Sequence, residues 1–386
     1  MTTGDLIIIK TFCEQMSDND NYPYALNQLS NLSDNIRDTL KGEIQKIKKN
    51  HNNSDAVLVE SELIIRYFMS SRYRSLKFDI IQGPISVYQM SHDQYPHIFY
   101  LFGDIHYKES ECTSEYEFIH WLNDTIVNSP VYIDVYIESS YIYKDYKYFD
   151  PSIRAKGTYL GDTYDHFKKC FNKKSDKVCQ TSRFHYTDIR NTFKSDDEYN
   201  GWYIFTKGYL RNDSVWEQKD IPIITRFINN LELDDSVMNV RILKQFDNIL
   251  DEKIKFKLIS RFQACKKSLK KYIPSMNPSN ILKIDGGKFN LKKFDDDKFM
   301  QYEMCYMDYY LMARSFRNYN QTQKYSRPSY NNVIYAGDEH IDNYINILTS
   351  LGFKMGFKYN EDDAGLNQCI DISKMEQPMF YQRYRE

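Results

Sequence analysis

Apolar residues in this chain recur at two spacings, and the changes from one to the other outline an α/β fold. The Gly83-Pro84 pair closes a polar N-terminal region; after it, Ile85 to Met90 and His97 to Phe102 read as two strands joined by a polar turn that includes Pro96. Phe118, Trp121, Leu122 and Ile126 fall on one face of a helix spanning Tyr116 to Asn128, and the run Val131 to Ile137 reads as a strand ending at Glu138. A Lys- and Tyr-rich passage of loops and short helices is expected through Ser182. Phe184 to Arg190 then reads as a further strand, with Asp188 and Arg190 at its end. From about Asp220 to Phe316 the spacing is mainly helical, as at Ile242, Phe246, Ile249 and Leu250, with breakers from Pro274 to Gly287. Asn332 to Ala336 predicts a strand and Gly337 to His340 a turn; Ile341 to Leu351 predicts a helix closed by Gly352 as its C-cap.

Ahead of all this, Met1 to about Lys77 is polar with helical spacing at Leu58, Leu63, Ile64 and Tyr67 after a capping Ser54. The expected organisation is an N-terminal helical region (1–80), a first half of an α/β core (81–215), a mainly helical insertion (216–316) and a second half of the core (317–386). The predicted fold is a mixed central sheet flanked by helices, built around two strand-Gly-x-x-His-helix units.

With 386 residues, 41% of them hydrophobic, the chain can bury a large core. Lys and Arg total 51 against 53 Asp and Glu, which gives no broad electrostatic reason to expect nucleic acid as a partner. The run Leu6 to Ile9 is far shorter than a signal-peptide core. No stretch approaches the roughly 18 apolar residues needed to span a bilayer, so a cytoplasmic protein without a membrane partner is expected. The 7 cysteines are odd in number and form no Cys-x-x-Cys pair, so reduced thiols are expected. The abundance of Tyr (34) over Gly (14) fits an AT-rich genome, as in large DNA viruses, some protists and some bacteria.

Candidate chemistry begins with an internal repetition. Tyr100-Leu101-Phe102-Gly103-Asp104-Ile105-His106 and Ile334-Tyr335-Ala336-Gly337-Asp338-Glu339-His340 are two copies of an apolar strand running into Gly-Asp-x-His. In an open α/β sheet ligands bind past the carboxyl ends of the strands, and a glycine there allows the tight turn that lets the following histidine face the crevice. His106 and His340 are therefore expected to converge. Asp104 and Asp338 either ligate or cap their turns. Glu138, projecting from a strand end, would join the two imidazoles as a general base for water or as the third ligand of one divalent metal. Asp188 and Arg190 share one face of their strand, and Arg314 lies on a helix with Met307 and Leu311. Either arginine would stabilise an oxyanion or pair with a carboxylate.

These parts, in this order, resemble the erythromycin esterase, ChaN, TraB and TIKI superfamily over about Gly83 to the C-terminus. Its members have a hairpin leading to Gly-x-x-His, a strand ending in Glu, a strand ending in an Asp-Arg type motif, a helical Arg and a final Gly-x-x-His before a helix. The corresponding residues here are Gly103 and His106, Glu138, Asp188 and Arg190, Arg314, and Gly337 and His340. The resemblance implies a hydrolase of esters or amides in which His and Glu activate water, metal-assisted in TIKI-like members, acting on a small molecule or peptide; ChaN-like relatives bind haem instead. The aspartate in both Gly-Asp-x-His turns departs from the family pattern, as does Ser315 after Arg314 where an Arg-Asn pair is common. Two other readings compete. A non-enzymatic binding or virion-associated protein could keep this scaffold. A calcineurin-like metallophosphoesterase would use Asp104 and His106 as ligands, but its Gly-Asn-His and Gly-His-x-His motifs do not occur here.

Overall fold

Six strands make one mixed sheet: β2 (Ser86–Ser91), β3 (Ile98–Asp104), β4 (Ile133–Ser140), β5 (Ser182–Asp188), β9 (Asn331–Gly337) and β10 (Lys354–Asn360). Their order across the sheet is β10-β2-β3-β9-β4-β5. The computed structural model describes residues 78–106, 108, 112, 114, 116–129, 133–140, 157–171, 179, 182–189, 215–216, 240, 242–270, 282–285, 288–291, 296–317, 329–360, 367–377 and 379–380. The predicted N-terminal helical region lies almost wholly outside these residues, and so do Val131, Tyr132 and Arg190.

Strands β3, β9, β4 and β5 are mutually parallel, whereas β2 pairs antiparallel with both β3 and β10. Every residue of β3 and of β9 is buried, as expected of central parallel strands covered on both faces. Alternation sends Val87, Ile98, Tyr100, Phe102, Val135, Ile137, Val333 and Tyr335 into one apolar layer. There they meet helices α1 (Phe118–Asn128) and α2 (Tyr159–Phe171). Tyr88, Met90, Phe99, Leu101, Tyr136, Ile334 and Ala336 face the other way, onto α3 (Glu252–Lys270), α4 (Asp296–Ser315) and α5 (Asp338–Leu351). The chain leaves β3, crosses through α1 to β4 and leaves a gap that β9 later fills, so the carboxyl ends of β3, β9 and β4 come to lie side by side.

The hairpin, the α1 helix, the β9–α5 unit and the αL cap at Gly352 (φ 100°) match the hydrophobic pattern. Three expectations need correction. The passage before Ser182 holds a 13-residue helix, α2, whose buried Leu160, Thr163, Phe167 and Cys170 recur at helical spacing. The region expected to be a helical insertion also carries strands: β7 (Leu282–Asp285) and β8 (Lys288–Leu291) flank Gly286-Gly287 and pair antiparallel, and β6 (Val215–Trp216) adds to β8. Gly-Gly between two short runs is a hairpin signal, which the surrounding breakers obscured. Finally, the cysteines are not all thiols, because Cys112–Cys369, Cys170–Cys179 and Cys265–Cys305 are disulfides. Spacing could not reveal them, since partners up to 257 residues apart meet only in the folded chain. A small antiparallel pair, β1 (Ile80–Gln82) with β11 (Cys369–Asp371), completes the described strands. No helix among the described residues is long and apolar enough to cross a membrane.

Candidate functional site

The two Gly-Asp-x-His segments meet because β3 and β9 are neighbours in parallel register, with Gly103 opposite Ala336 and Asp104 opposite Gly337. The segments differ in form. Asp104 ends β3 and His106 turns the chain out in the left-handed region at φ 59°, whereas Gly337 ends β9 and is at once the N-cap of α5, so His340 lies in the first turn of a helix.

The glycines serve close approach rather than the tight turn expected of them. Neither Gly103 nor Gly337 has positive φ. A Cβ on Gly337 would lie 2.7 Å from Nε2 of His106 and 3.4 Å from Oε2 of Glu138. A Cβ on Gly103 would collide with the Asp338 carboxylate and the Ser86 hydroxyl. Each unit thus lays a side chain over the glycine of the other: His106 over Gly337, and Asp338 over Gly103. Asp338 accepts a 2.5 Å hydrogen bond from Ser86 Oγ and so serves packing at the seam.

Glu138 stands between the two imidazoles. It lies within β4, which runs on to Ser140, and not after the strand as the pattern implied. Its Oε2 is 3.7 Å from His106 Nε2 and its Oε1 is 3.6 Å from His340 Nε2. The Gly337 N–H donates to Oε2 at 2.7 Å, which holds the carboxylate at the positive end of α5. Each histidine also has an aspartate on its other nitrogen. Asp104 Oδ2 is 3.2 Å from His106 Nδ1 and accepts the His106 backbone N–H at 2.8 Å, while its Oδ1 accepts the Tyr335 hydroxyl at 2.8 Å. Asp308, on α4, lies 2.6 Å from His340 Nδ1 through Oδ1 and accepts the Asn343 amide at 2.9 Å through Oδ2.

Burial alone would lower the pKa of His106. The hydrogen bond to Asp104 and the negative charges of Glu138 and Asp104 outweigh that and the opposing effect of His340, so the imidazolium of His106 is favoured. The Tyr335 phenol, buried and donating to Asp104, is held well above its ordinary value and stays protonated. The Glu138 and His340 side chains are each 7% exposed and that of His106 is 49% exposed, so the cluster opens to solvent on the His106 side.

Of the remaining candidates, Arg314 and Asp188 are among the described residues. Arg314 follows Asp308 on α4 by six residues, about 9 Å along a helix axis. Its Nη2 donates to His185 Nδ1 at 2.9 Å. His185 Nε2 is 3.0 Å from Asp134 Oδ1, and Arg183 grips both oxygens of Asp134 at 2.6 and 2.8 Å. Desolvation, with Arg314 facing its ring, lowers His185 to about 4 and keeps it neutral, despite the opposing pull of Asp134. Asp188 closes β5, buried, with Ser140 of β4 as its register partner. Sequence reasoning missed Asp308, Asn343 and Tyr335. Asp308 did leave a signal: one acid inside the run Cys305-Tyr306-Met307-Asp308-Tyr309-Tyr310-Leu311-Met312, where a buried charge requires a partner.

Two imidazoles and a carboxylate are the donors that zinc or a similar divalent ion takes, and aspartates behind metal-binding histidines are the usual supporting shell. The residues fit such an ion in kind. The two rings face different oxygens of Glu138, however, and among the described residues no three such side chains are gathered in a ready metal cluster. Fold and site define an α/β protein with a His–Glu–His cluster at the carboxyl ends of three adjacent parallel strands. No family model, curated protein or solved structure matches the chain.

Proposed function

We propose that this chain is a hydrolase of esters or amides, of the erythromycin esterase and TIKI-like type, in which water is activated at Glu138. The observation that carries this reading is the placing of one buried carboxylate between two imidazoles, each held from behind by its own aspartate. Carboxylates and imidazoles in such proximity divide between acid and base roles according to their surroundings.

Glu138, fixed by the Gly337 N–H, accepts a proton from water at the carboxylate oxygen facing the solvent side. His106, whose imidazolium is favoured and whose ring is half-exposed, delivers a proton from Nε2 to the leaving oxygen or nitrogen of a small ester or peptide entering from that side. His340, buried at the back with Nε2 facing Glu138, can take up the proton that Glu138 gains. A divalent ion, if bound, would be held by His106, Glu138 and His340 and would supply Lewis-acid polarisation and a more acidic water. Arg314, which donates to His185, is given no step in this scheme.

The test is hydrolysis of a panel of chromogenic esters and fluorogenic peptides by wild type and E138Q, with and without a chelator. E138Q should lose on the order of 10²-fold or more in kcat/KM. Equal rates for wild type and E138Q on every substrate turned over would sink the reading. Chelator sensitivity would separate the metal-assisted from the metal-free form.

A further inference from the structure

We infer that Asp308 and Asn343 form a device that sets the tautomer of His340, presenting the lone pair of Nε2 to Glu138, and that the pair works as a directional Asp–Asn clamp. This rests on the hydrolase reading only for its consequence in activity. The tautomer itself follows from the hydrogen-bond arithmetic.

Asp308 is 2% exposed and lies 2.6 Å from His340 Nδ1, as short as a charge-assisted hydrogen bond. A carboxylate can only accept, so the neutral ring must carry its proton on Nδ1, and Nε2 is left as an acceptor. That nitrogen faces Glu138 Oε1 at 3.6 Å, too far for a direct hydrogen bond. The second oxygen of Asp308 is taken by Asn343, which sits one turn after His340 on α5. Asn343 thereby fixes the plane of the carboxylate, and the clamp spans two helices, α4 and α5, that are distant in sequence.

The role of Asn343 makes a sharp statement about D308N. The Asn343 amide needs an oxygen to donate to. An asparagine at 308 must therefore turn its own oxygen to Asn343 and its NH₂ to His340. A donor facing Nδ1 forces the proton to Nε2, which is the wrong tautomer for the site. In the double variant D308N/N343D the new carboxylate at 343 accepts from the NH₂ at 308. The oxygen at 308 then swings back to His340, and the original tautomer returns. The double swap keeps composition and net charge, so it separates orientation from the loss of a charge.

The experiment is ¹⁵N-histidine NMR of the full chain at about pH 8.5, roughly two units above the ordinary imidazole range. The His340 signals would be assigned by H340Q. Wild type should show Nδ1 protonated and Nε2 bare, D308N the reverse, and D308N/N343D the wild-type pattern. Hydrolytic kcat should fall on the order of 10²- to 10⁴-fold in D308N, as expected for a mis-set histidine, and recover to within about tenfold in the double swap. A wild-type His340 protonated on Nε2 would overturn the inference without any variant, so poor folding of D308N cannot shelter it. An unchanged tautomer in folded D308N, or no return in the double swap, would overturn it as well. If the tautomers behave as stated while E138Q hydrolyses as well as wild type, the clamp stands and the hydrolase reading falls.

Discussion

His185 should make the stability of this protein acid-sensitive in a window that can be assigned to one residue. Its ring is 5% exposed, stacked on Tyr136 at 4.5 Å between centroids, with Asp134 on Nε2 and the Arg314 guanidinium on Nδ1. Burial, with the Arg314 guanidinium facing Nδ1, keeps the folded ring neutral down to about 4 despite the pull of Asp134, against an ordinary value of 6.5. The unfolded chain binds a proton below 6.5 and the folded chain does not. This group's contribution to stability is thus complete above 6.5 and is lost as pH falls towards 4. At about 1.36 kcal/mol per pH unit, the interval amounts to about 3 kcal/mol and is steepest near pH 5. Asp134 does not blur the window. Burial pushes its pKa up, but the hydrogen bonds from Arg183 and His185 and the Arg183 charge more than reverse this, so it titrates below its usual range. The assay is urea unfolding of wild type and H185Q at intervals from pH 7 to 5. His97, also lowered to about 4 by burial, contributes alike in both chains and cancels in the difference. The gap between the two curves should narrow by about 2 kcal/mol over that range as wild type loses its advantage. Parallel curves would refute the assignment of a neutral, Arg-facing His185.

Two further perturbations address the seam and the cystines. In G337A the new Cβ would lie 2.7 Å from His106 Nε2, a half-exposed ring that can swing away, so the melting temperature should change little. Under the proposed hydrolase reading, turnover should fall about 10²-fold, because the ring leaves Glu138; a large drop in melting temperature with turnover unchanged would show that the contact serves packing alone. The Cys112–Cys369 bridge spans 257 positions, for which the chain-entropy relation gives about 5.5 kcal/mol. C112S/C369S should therefore unfold at clearly lower urea than wild type, and non-reducing peptide mapping should recover the linked peptides. Coincident unfolding curves would remove the bridge from any stabilising role.

The parts of the molecule legible in the sequence are those where one element carries its own periodicity and stop signal. β9 runs into α5 and stops at Gly352, and the hairpin of β2 and β3 declares itself by polar residues between two apolar runs. The convergence of His106, Glu138 and His340 was legible too, because parallel strands with ligand-bearing carboxyl ends place repeated motifs on one edge. What stayed hidden depends on partners from elsewhere in the chain. Arg314 reads as an oxyanion donor when only its helix is considered, yet it donates to His185, on β5. The bulk of α4 gives no amphipathic direction, because its Tyr, Met and Cys positions are buried across a wide arc, so its one buried acid could not be assigned to a face in advance.

That same acid shows why the two Gly-Asp-x-His units are not equivalent. In the first, the motif aspartate is two residues from its histidine and can reach both the ring and the His106 backbone N–H, which the left-handed turn at His106 allows. In the second, β9 enters α5 directly, and the aspartate at the same place in the motif is drawn to Ser86 across the seam. A histidine in a first helical turn therefore needs its carboxylate from another element, and α4 supplies Asp308. The two imidazoles each gain an aspartate on Nδ1 by different routes. One is local, half-exposed and yielding; the other is buried and held between two helices. A cluster whose outer ring can move and whose inner ring cannot is suited to passing a proton from a fixed acceptor towards solvent, which is the asymmetry the proposed hydrolytic step would use.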